Sequence, residues 1–176
     1  MSEQNLTIYE ALTYHLRAIN HTDLENLRVW KNTNKQFFFH AGEISIEQQA
    51  TWYKGFALRP NDHMFMVEEL LEGKVRKVGC MGYRVNGAIV DVYNIMRGQP
   101  SLENRFTMAQ AFLLMIAYAA EKEKMPITCV VLKNNPALNW YSKNGFEVKV
   151  DQGESVLLQM DADFLKSKKI LVKVKK

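Results

Sequence analysis

The chain has 176 residues, of which 47% are hydrophobic, and this composition suits one domain with a packed core. Its formal net charge of +4 is mildly basic and is compatible with an anionic ligand or with nucleic acid. No apolar run reaches the roughly 18 residues that a membrane span needs, and the N-terminal residues lack the basic and apolar regions of a signal peptide.

The two cysteines, Cys80 and Cys129, both lie inside apolar runs. We therefore expect buried thiols in a reducing compartment, the cytoplasm, and neither a disulfide nor a metal site.

The first part of the chain gives one strand signal and two helix signals. Alternating residues predict a strand at 13–19. Capping-box spacings at 22–25 and 45–48 each precede a helical apolar stripe. We expect the first helix to end near residues 32–34 and the second to end before the turn at 59–62.

The middle of the chain predicts an antiparallel meander followed by a helix. Strands are expected at 64–70, 77–85 and 88–96, joined by turn signals at 72–74 and at Asn86-Gly87. A helix is expected at 107–124, since its apolar residues recur at helical spacing.

The segment 126–148 carries the most specific pattern. A β-branched run at 127–132 predicts a buried strand. Asn135 suits a helix N-cap and Pro136 the first helical position, whereas Gly145 suits the left-handed C-cap. Strands are then expected at 146–151 and 154–160. The lysine-rich tail at 170–176 reads as an extra edge strand, in which lysines discourage further pairing.

Five residues of this segment match the pattern N-x-x-A-x-x-x-Y-x-x-x-G-F, and they are Asn134, Ala137, Tyr141, Gly145 and Phe146. The segment resembles the second half of the GNAT acetyltransferases, although the same residues also fit an ordinary αβ unit with a good C-cap. The predicted order β-α-α-β-β-β-α-β-α-β-β is also the family's order. The resemblance implies an α/β (α+β) GNAT-like domain over 1–176, with a mixed, mostly antiparallel central sheet flanked by helices. Within the family, the capping segments look like the branch with ribosomal-protein and amino-sugar-nucleotide acetyltransferases.

The resemblance implies transfer of an acetyl group from acetyl-CoA to a primary amine by direct attack. The cosubstrate would lie between the strands at 88–96 and 127–132. Tyr141 would protonate the leaving thiolate. The implied cofactor-binding residues are Ile95, Met96, Arg97, Arg105, Asn134, Ala137 and Tyr141.

The expected pyrophosphate loop departs from the family pattern Q/R-x-x-G-x-G/A. Glu103, Phe106 and Met108 occupy its marked positions, and none of them matches. Arg97 and Arg105 would compensate through their charge, or they are solvated surface residues.

The general base is left open among three carboxylates. Glu68 and Glu69 lie in a predicted central strand, where one should point to each face, and Asp91 lies in the strand expected beside the thioester. A carboxylate among apolar residues can have a raised pKa and act as a base. Each also fits an exposed position on a one-sided strand. His40 and His63 lie in or near loops that would border the acceptor, although a lone loop histidine is usually solvated. The acceptor site could also be lined by the aromatics Phe37, Phe38, Phe39, Trp52 and Tyr53, but their pattern favours core packing of the first two helices.

Two other functions fit the same sequence. A GNAT-fold binding or assembly module without acetyl transfer is favoured by the missing loop glycines. A nucleic-acid modifier is suggested by the basic tail, but this tail lacks the interleaved aromatics that bind bases. The acceptor is an amino sugar, a protein N-terminus or a small amine, and a homodimer through the C-terminal strands is compatible with the sequence.

Overall fold

The computed structural model describes residues 6–9, 13–98 and 107–175. The strands are β1 (Thr7–Tyr9), β2 (Tyr14–Ala18), β3 (Asp62–Leu71), β4 (Lys74–Asn86), β5 (Ile89–Arg97), β6 (Ile127–Leu132), β7 (Phe146–Asp151), β8 (Ser155–Met160) and β9 (Lys173–Lys175). The helices are α1 (Leu24–Thr33), α2 (Ile46–Phe56), α3 (Thr107–Glu123), α4 (Leu138–Lys143) and α5 (Ala162–Ser167). Of these helices, none has the length and apolar character needed to cross a membrane.

The described strands form one nine-stranded sheet in the order β7-β8-β6-β5-β4-β3-β2-β1-β9. Among these neighbours, β5 and β6 are parallel and the other pairs are antiparallel. The mixed, mostly antiparallel sheet that the sequence predicts is therefore confirmed. The lysine-rich tail forms β9 at one edge, as expected, and β7 forms the other edge.

The sheet separates two hydrophobic cores. Successive side chains of β3 point to opposite faces, as strand geometry requires. Phe65 and Val67 belong to the core that packs α3, α4 and α5. Met64 and Met66 belong to the smaller core that packs α1 and α2. The two helical layers thus lie on opposite faces of the same central strands.

A network of ion pairs fixes the start of α1 to the sheet. Arg17 lies 3.0 Å from Asp23 Oδ2 and 2.7 Å from Glu68 Oε1. Lys77 Nζ lies 2.7 Å from Asp23 Oδ1, and His15 Nε2 lies 2.8 Å from Glu68 Oε2. Burial alone would raise the pKa of Asp23, but hydrogen bonds from Arg17 and Lys77 hold it below its ordinary value. The network therefore joins β2, β3 and β4 to α1.

The first capping box lies earlier than predicted. Asn20 Oδ1 accepts a hydrogen bond from Thr22 N at 2.9 Å, and Asp23 Oδ2 accepts one from Asn20 N at 2.8 Å. The box therefore begins at Asn20 and opens a short 3₁₀ turn ahead of α1. The second predicted box is confirmed, because Ser45 and Gln48 cap each other's backbone at 3.2 and 2.8 Å.

Two short elements are absent from the prediction. β1 pairs with both β2 and β9, so it depends on the far end of the chain. α5 is capped by Asp161, whose carboxylate accepts a hydrogen bond from Asp163 N at 2.9 Å. Each element is too short to give a periodic signal of its own.

Candidate functional site

The sheet opens between β5 and β6. Their parallel pairing is limited to Val90↔Ile127 and Asp91↔Thr128, at the start of both strands. Beyond these pairs the two strands separate and leave a cleft of about 520 Å³. This volume is within the range of small-molecule sites, roughly 300–1,000 Å³. The divergence that the sequence predicts between 88–96 and 127–132 is thus observed.

A bulge in β5 shapes one wall of this cleft. Cys80 pairs with Met96, whereas Gly82 pairs with Tyr93, so β5 has one residue more than β4 between these pairs. Asn94, inside the bulge, has a φ of 51°, a left-handed conformation that Asn tolerates better than most residues. Bulges of this kind redirect side chains and often lie beside active sites.

Tyr141 lines the cleft from α4 and is 7% exposed. Its ring contacts those of Phe112, Trp140 and Phe146, with centroids 5.9, 5.2 and 5.7 Å away. Within the described part of the chain, its hydroxyl has no hydrogen-bond partner. Burial raises the pKa of Tyr141 above its ordinary value. The side chain is therefore a protonated phenol at neutral pH that is able to donate its proton to a ligand.

The turn before α4 is fixed by Asn135. Its Oδ1 accepts from Ala137 N at 2.9 Å, and its Nδ2 donates to Phe37 O at 3.4 Å. The predicted capping residue therefore makes its hydrogen bond, although the regular helix begins later, at Leu138. The predicted C-cap is confirmed, since Gly145 has a φ of 86°.

Asp91 lines the cleft, as expected for a candidate base. Burial raises the pKa of its carboxyl, and Arg84, with its Nε 3.7 Å from Asp91 Oδ2, offsets only part of that effect. Asp62 raises the pKa further. A carboxylate with a raised pKa in a cleft is a suitable proton acceptor.

Glu68 lies in the ion-pair network under α1 and not in the cleft. Burial alone would raise its pKa, but hydrogen bonds from His15 and Arg17 lower it below the ordinary value. A carboxylate held by two donors is a poor proton acceptor, so the geometry gives Glu68 a structural role. Glu69 points to the opposite face, as predicted, and accepts from Thr107 Oγ1 at 3.0 Å.

Most residues expected to contact coenzyme A line the cleft, and these are Ile95, Met96, Arg97, Ala137 and Tyr141. Asn134 does not, because it is exposed in the turn after β6, and the adjacent Asn135 lines the cleft instead. Arg105 lies outside the described residues, as do Glu103 and Phe106 of the expected pyrophosphate loop.

The two candidate histidines differ in position. His40 lines the cleft. His63 does not, because it belongs to β3, where it is buried with its ring centroid 4.6 Å from that of Tyr83. His63 is near the turn at 59–62 but already lies within β3, which begins at Asp62.

The candidate aromatics divide into two groups. Phe37, Phe38 and Phe39 line the cleft from the α1–α2 connection. Trp52 and Tyr53 pack against the smaller core and stack on Phe56 at 5.2 and 6.2 Å. The packing alternative therefore holds for Tyr53, whereas Trp52 packs on this core and also lines a second cavity.

A second cavity, here called the helix-side pocket, adjoins the cleft. It has a volume of about 320 Å³, is lined from α1, α2, β3 and β5, and shares Lys31, His40, Asn94 and Met96 with the cleft. Lys31 Nζ donates to Asn94 Oδ1 at 2.8 Å and lies 3.2 Å from the centroid of the Phe38 ring. Burial lowers the pKa of Lys31 to about 8.

Sequence reasoning missed Lys31. A lysine on an amphipathic helix is typical of a solvated face, and its burial depends on contacts with distant residues. The nearby aromatic run at 37–39 is the signal in the sequence that could have pointed to it.

No protein-family model matches the sequence, and no curated protein is significantly similar to it. Solved structures are similar in fold. FdhC, described as a nucleotide-linked-sugar GNAT, has a TM-score of 0.73 and 16% identity, covering 91% of this chain and 93% of that one. RimL, a ribosomal-protein alpha-N-acetyltransferase in complex with coenzyme A, has a TM-score of 0.68 and 15% identity, covering 89% and 99%.

The spermidine N-acetyltransferase of Vibrio cholerae, in complex with CoA and spermine, has a TM-score of 0.66 and 16% identity. The similarity covers 85% of this chain and 94% of that one. These TM-scores extend over most of each chain, and the protein therefore has the fold of the GNAT acetyltransferases.

Proposed function

We propose that the protein is an N-acetyltransferase that moves an acetyl group from acetyl-CoA to a primary amine by direct attack. The observation that carries this proposal is the position of Tyr141, a protonated phenol in the cleft between two diverging strands. Structures of the same fold include RimL with coenzyme A and a spermidine N-acetyltransferase with CoA and spermine, which supports an acyl thioester as the ligand.

The residues of the cleft fit such a ligand. Apolar side chains of β5, β6 and α4 suit the pantetheine arm, and the exposed Arg97 suits its phosphates. Val90 N donates to Pro126 O on the β6 side, so strand alternation directs the Val92 amide to the same edge. The pairing of Asp91 with Thr128 places this amide beside the Thr128 carbonyl, so the ladder between β5 and β6 ends at Val92 and the cleft begins beyond it.

Two residues divide the proton transfers in this proposal. Among the described residues that line the cleft, Asp91 supplies the carboxylate, and it accepts the proton of the attacking amine directly or through water. The amine nitrogen forms a bond to the acetyl carbon, and the carbon–sulfur bond breaks. Tyr141 donates its hydroxyl proton to the departing sulfur.

Thermal unfolding with acetyl-CoA tests the binding step. A ligand that binds only the native state stabilises it by about 2.7 kcal/mol at a hundredfold excess over Kd, which corresponds to a rise in Tm of roughly 5–10 °C for a chain of this size. An unchanged Tm at millimolar acetyl-CoA would reject the proposal. Stabilisation with no thiol release for any amine would favour the binding-module alternative.

The variant Tyr141→Phe tests the catalytic step. It keeps the ring among its aromatic neighbours but removes the proton donor. We therefore expect the rise in Tm with acetyl-CoA to be unchanged and the rate of thiol release to fall about 100-fold or more. Tyr53→Phe on α2, outside the cleft, is the matched control and should keep full activity. Equal rates for Tyr141→Phe and the wild-type protein would remove Tyr141 from the mechanism.

A further inference from the structure

We propose that the acceptor amine carries an anionic group, a carboxylate or a phosphate, which Lys31 binds in the helix-side pocket. The inference rests on the proposed acetyltransferase function and names the acceptor class for that site. It is argued from the charges and hydrogen-bond donors that line the pocket.

The helix-side pocket lacks negative charge. Of the described residues that line it, Lys31 is the cation and none is Asp or Glu. Its other polar side chains are the amides Gln48, Gln49 and Asn94, the imidazole of His40 and the indole N–H of Trp52. Amide N–H groups and an ammonium group are donors suited to oxyanions. A polyamine would instead find no counter-charge there and would be repelled by Lys31.

Lys31 has capacity for a ligand. Its ammonium group has three donors, and the hydrogen bond to Asn94 Oδ1 uses one of them. The Phe38 ring covers one side of the group, and among the described residues no carboxylate forms an ion pair with it. By contrast, Lys77 beside the same helix is paired with Asp23 at 2.7 Å.

A partly buried cation without a counter-ion is unfavourable, and a bound anion relieves this cost. The lowered pKa of Lys31 agrees with this environment, since the effect of burial exceeds the opposing contribution of Cys80. An anion at this position would return the pKa toward its ordinary value.

The pocket is also placed correctly for an acceptor. It joins the cleft at Asn94, within the bulge of β5, and His40 lines both cavities at the same boundary. An acceptor with its anionic group on Lys31 can therefore extend its amine past the bulge toward the space between β5 and β6.

Acetyl transfer to pairs of amines that differ in a single anionic group tests the inference. The probes are glucosamine 6-phosphate against glucosamine, β-alanine against β-alaninamide, and spermidine. The first pair tests a phosphate and the second a carboxylate. We expect the anionic member of at least one pair to have the higher kcat/KM, and Lys31→Met to lower its kcat/KM by roughly tenfold to a hundredfold, as for loss of a hydrogen bond to a charged group.

Matched variants separate a charge effect from a general loss. Lys31→Arg should keep the preference for the anion. Lys35→Met removes a half-exposed lysine that lies in neither cavity and 3.9 Å from Glu43, and it should change nothing. A preference for spermidine or for the neutral amines, or an anionic preference that survives in Lys31→Met, would overturn the inference.

A second measurement decides the case in which none of these amines is acetylated. Trace labelling of Lys31 with acetic anhydride, read by peptide mass spectrometry in the presence of coenzyme A, should be suppressed by glucosamine 6-phosphate or β-alanine and not by their neutral partners. Equal labelling with every probe would overturn the inference. Failure of the proposed function is seen separately, as the absence of stabilisation by acetyl-CoA.

Discussion

Replacement of Gly145 by alanine should strongly destabilise the protein, for two separate reasons. Gly145 has a φ of 86°, where a side chain is disfavoured by roughly 1–2 kcal/mol. An added Cβ would also overlap the ring of Phe164 on α5. Overpacking of a filled site costs typically about 1–3 kcal/mol. We therefore expect Gly145→Ala to lower the free energy of unfolding by roughly 2–5 kcal/mol.

Gly153 provides a matched control. It has the same φ of 86°, but nothing lies within 4 Å of an added Cβ. Gly153→Ala should therefore show the backbone cost alone, roughly 1–2 kcal/mol. With about 2–4 °C of Tm for each kcal/mol, the two variants should lose roughly 4–20 °C and 2–8 °C respectively.

Urea denaturation and thermal unfolding at neutral pH measure both variants. Adding Phe164→Leu to Gly145→Ala should recover part of the lost stability, because the smaller side chain relieves the overlap. Equal losses for Gly145→Ala and Gly153→Ala, or no recovery in the double variant, would show that α5 does not pack on the end of α4.

Three further substitutions test the site and its support. Asp91→Asn should raise Tm at neutral pH while lowering acetyl transfer about 100-fold or more. The raised pKa of Asp91 means that its ionised form destabilises the fold. This destabilisation is present above the pKa of the folded state and vanishes at lower pH. A lowered Tm for Asp91→Asn at neutral pH would contradict the prediction. Asp23→Asn should destabilise the protein by about 3 kcal/mol, since Arg17 loses a buried partner. Because the pKa of Asp23 is depressed, the stability that its carboxylate contributes is complete above its ordinary pKa of 3.8 and is lost as the pH falls further. An unchanged urea midpoint for Asp23→Asn at pH 7 would refute this contribution. Asn135→Ala should lower the free energy of unfolding by about 1 kcal/mol, because the capping hydrogen bond is lost. Asn134→Ala should leave it almost unchanged. A larger loss of Tm in Asn134→Ala than in Asn135→Ala would show that Asn134 is the capping residue.

The parts of the fold that local chemistry determines are predictable from the sequence. Gly145 is an example, because a left-handed residue after a helix is a local requirement that glycine meets. The turns with Gly73 and Gly87, at φ values of 75° and 62°, likewise separate β3, β4 and β5 where the sequence predicts strand ends. β1 and α5 are not predicted from the sequence, because they are too short to show periodicity and contacts with distant parts of the chain stabilise them.

The candidate site is predictable only in part, because some of its residues are positioned by local sequence and others by contacts with distant residues. Tyr141 follows from a motif of fixed spacing, and the structure brings it to the cleft as expected. The pairing of Glu68 with Arg17 depends on the register of β2 against β3, which the sequence does not contain. The burial of Lys31 depends on Phe38 and Asn94, which reach it from a loop and from a distant strand.

A crystal structure of the protein with bound acetyl-CoA would show whether the cleft between β5 and β6 holds the cosubstrate. We expect the pantetheine arm between these strands, with the thioester sulfur within hydrogen-bond reach of the Tyr141 hydroxyl. A cosubstrate bound elsewhere, or a cleft closed by its own side chains under saturating acetyl-CoA, would contradict this expectation.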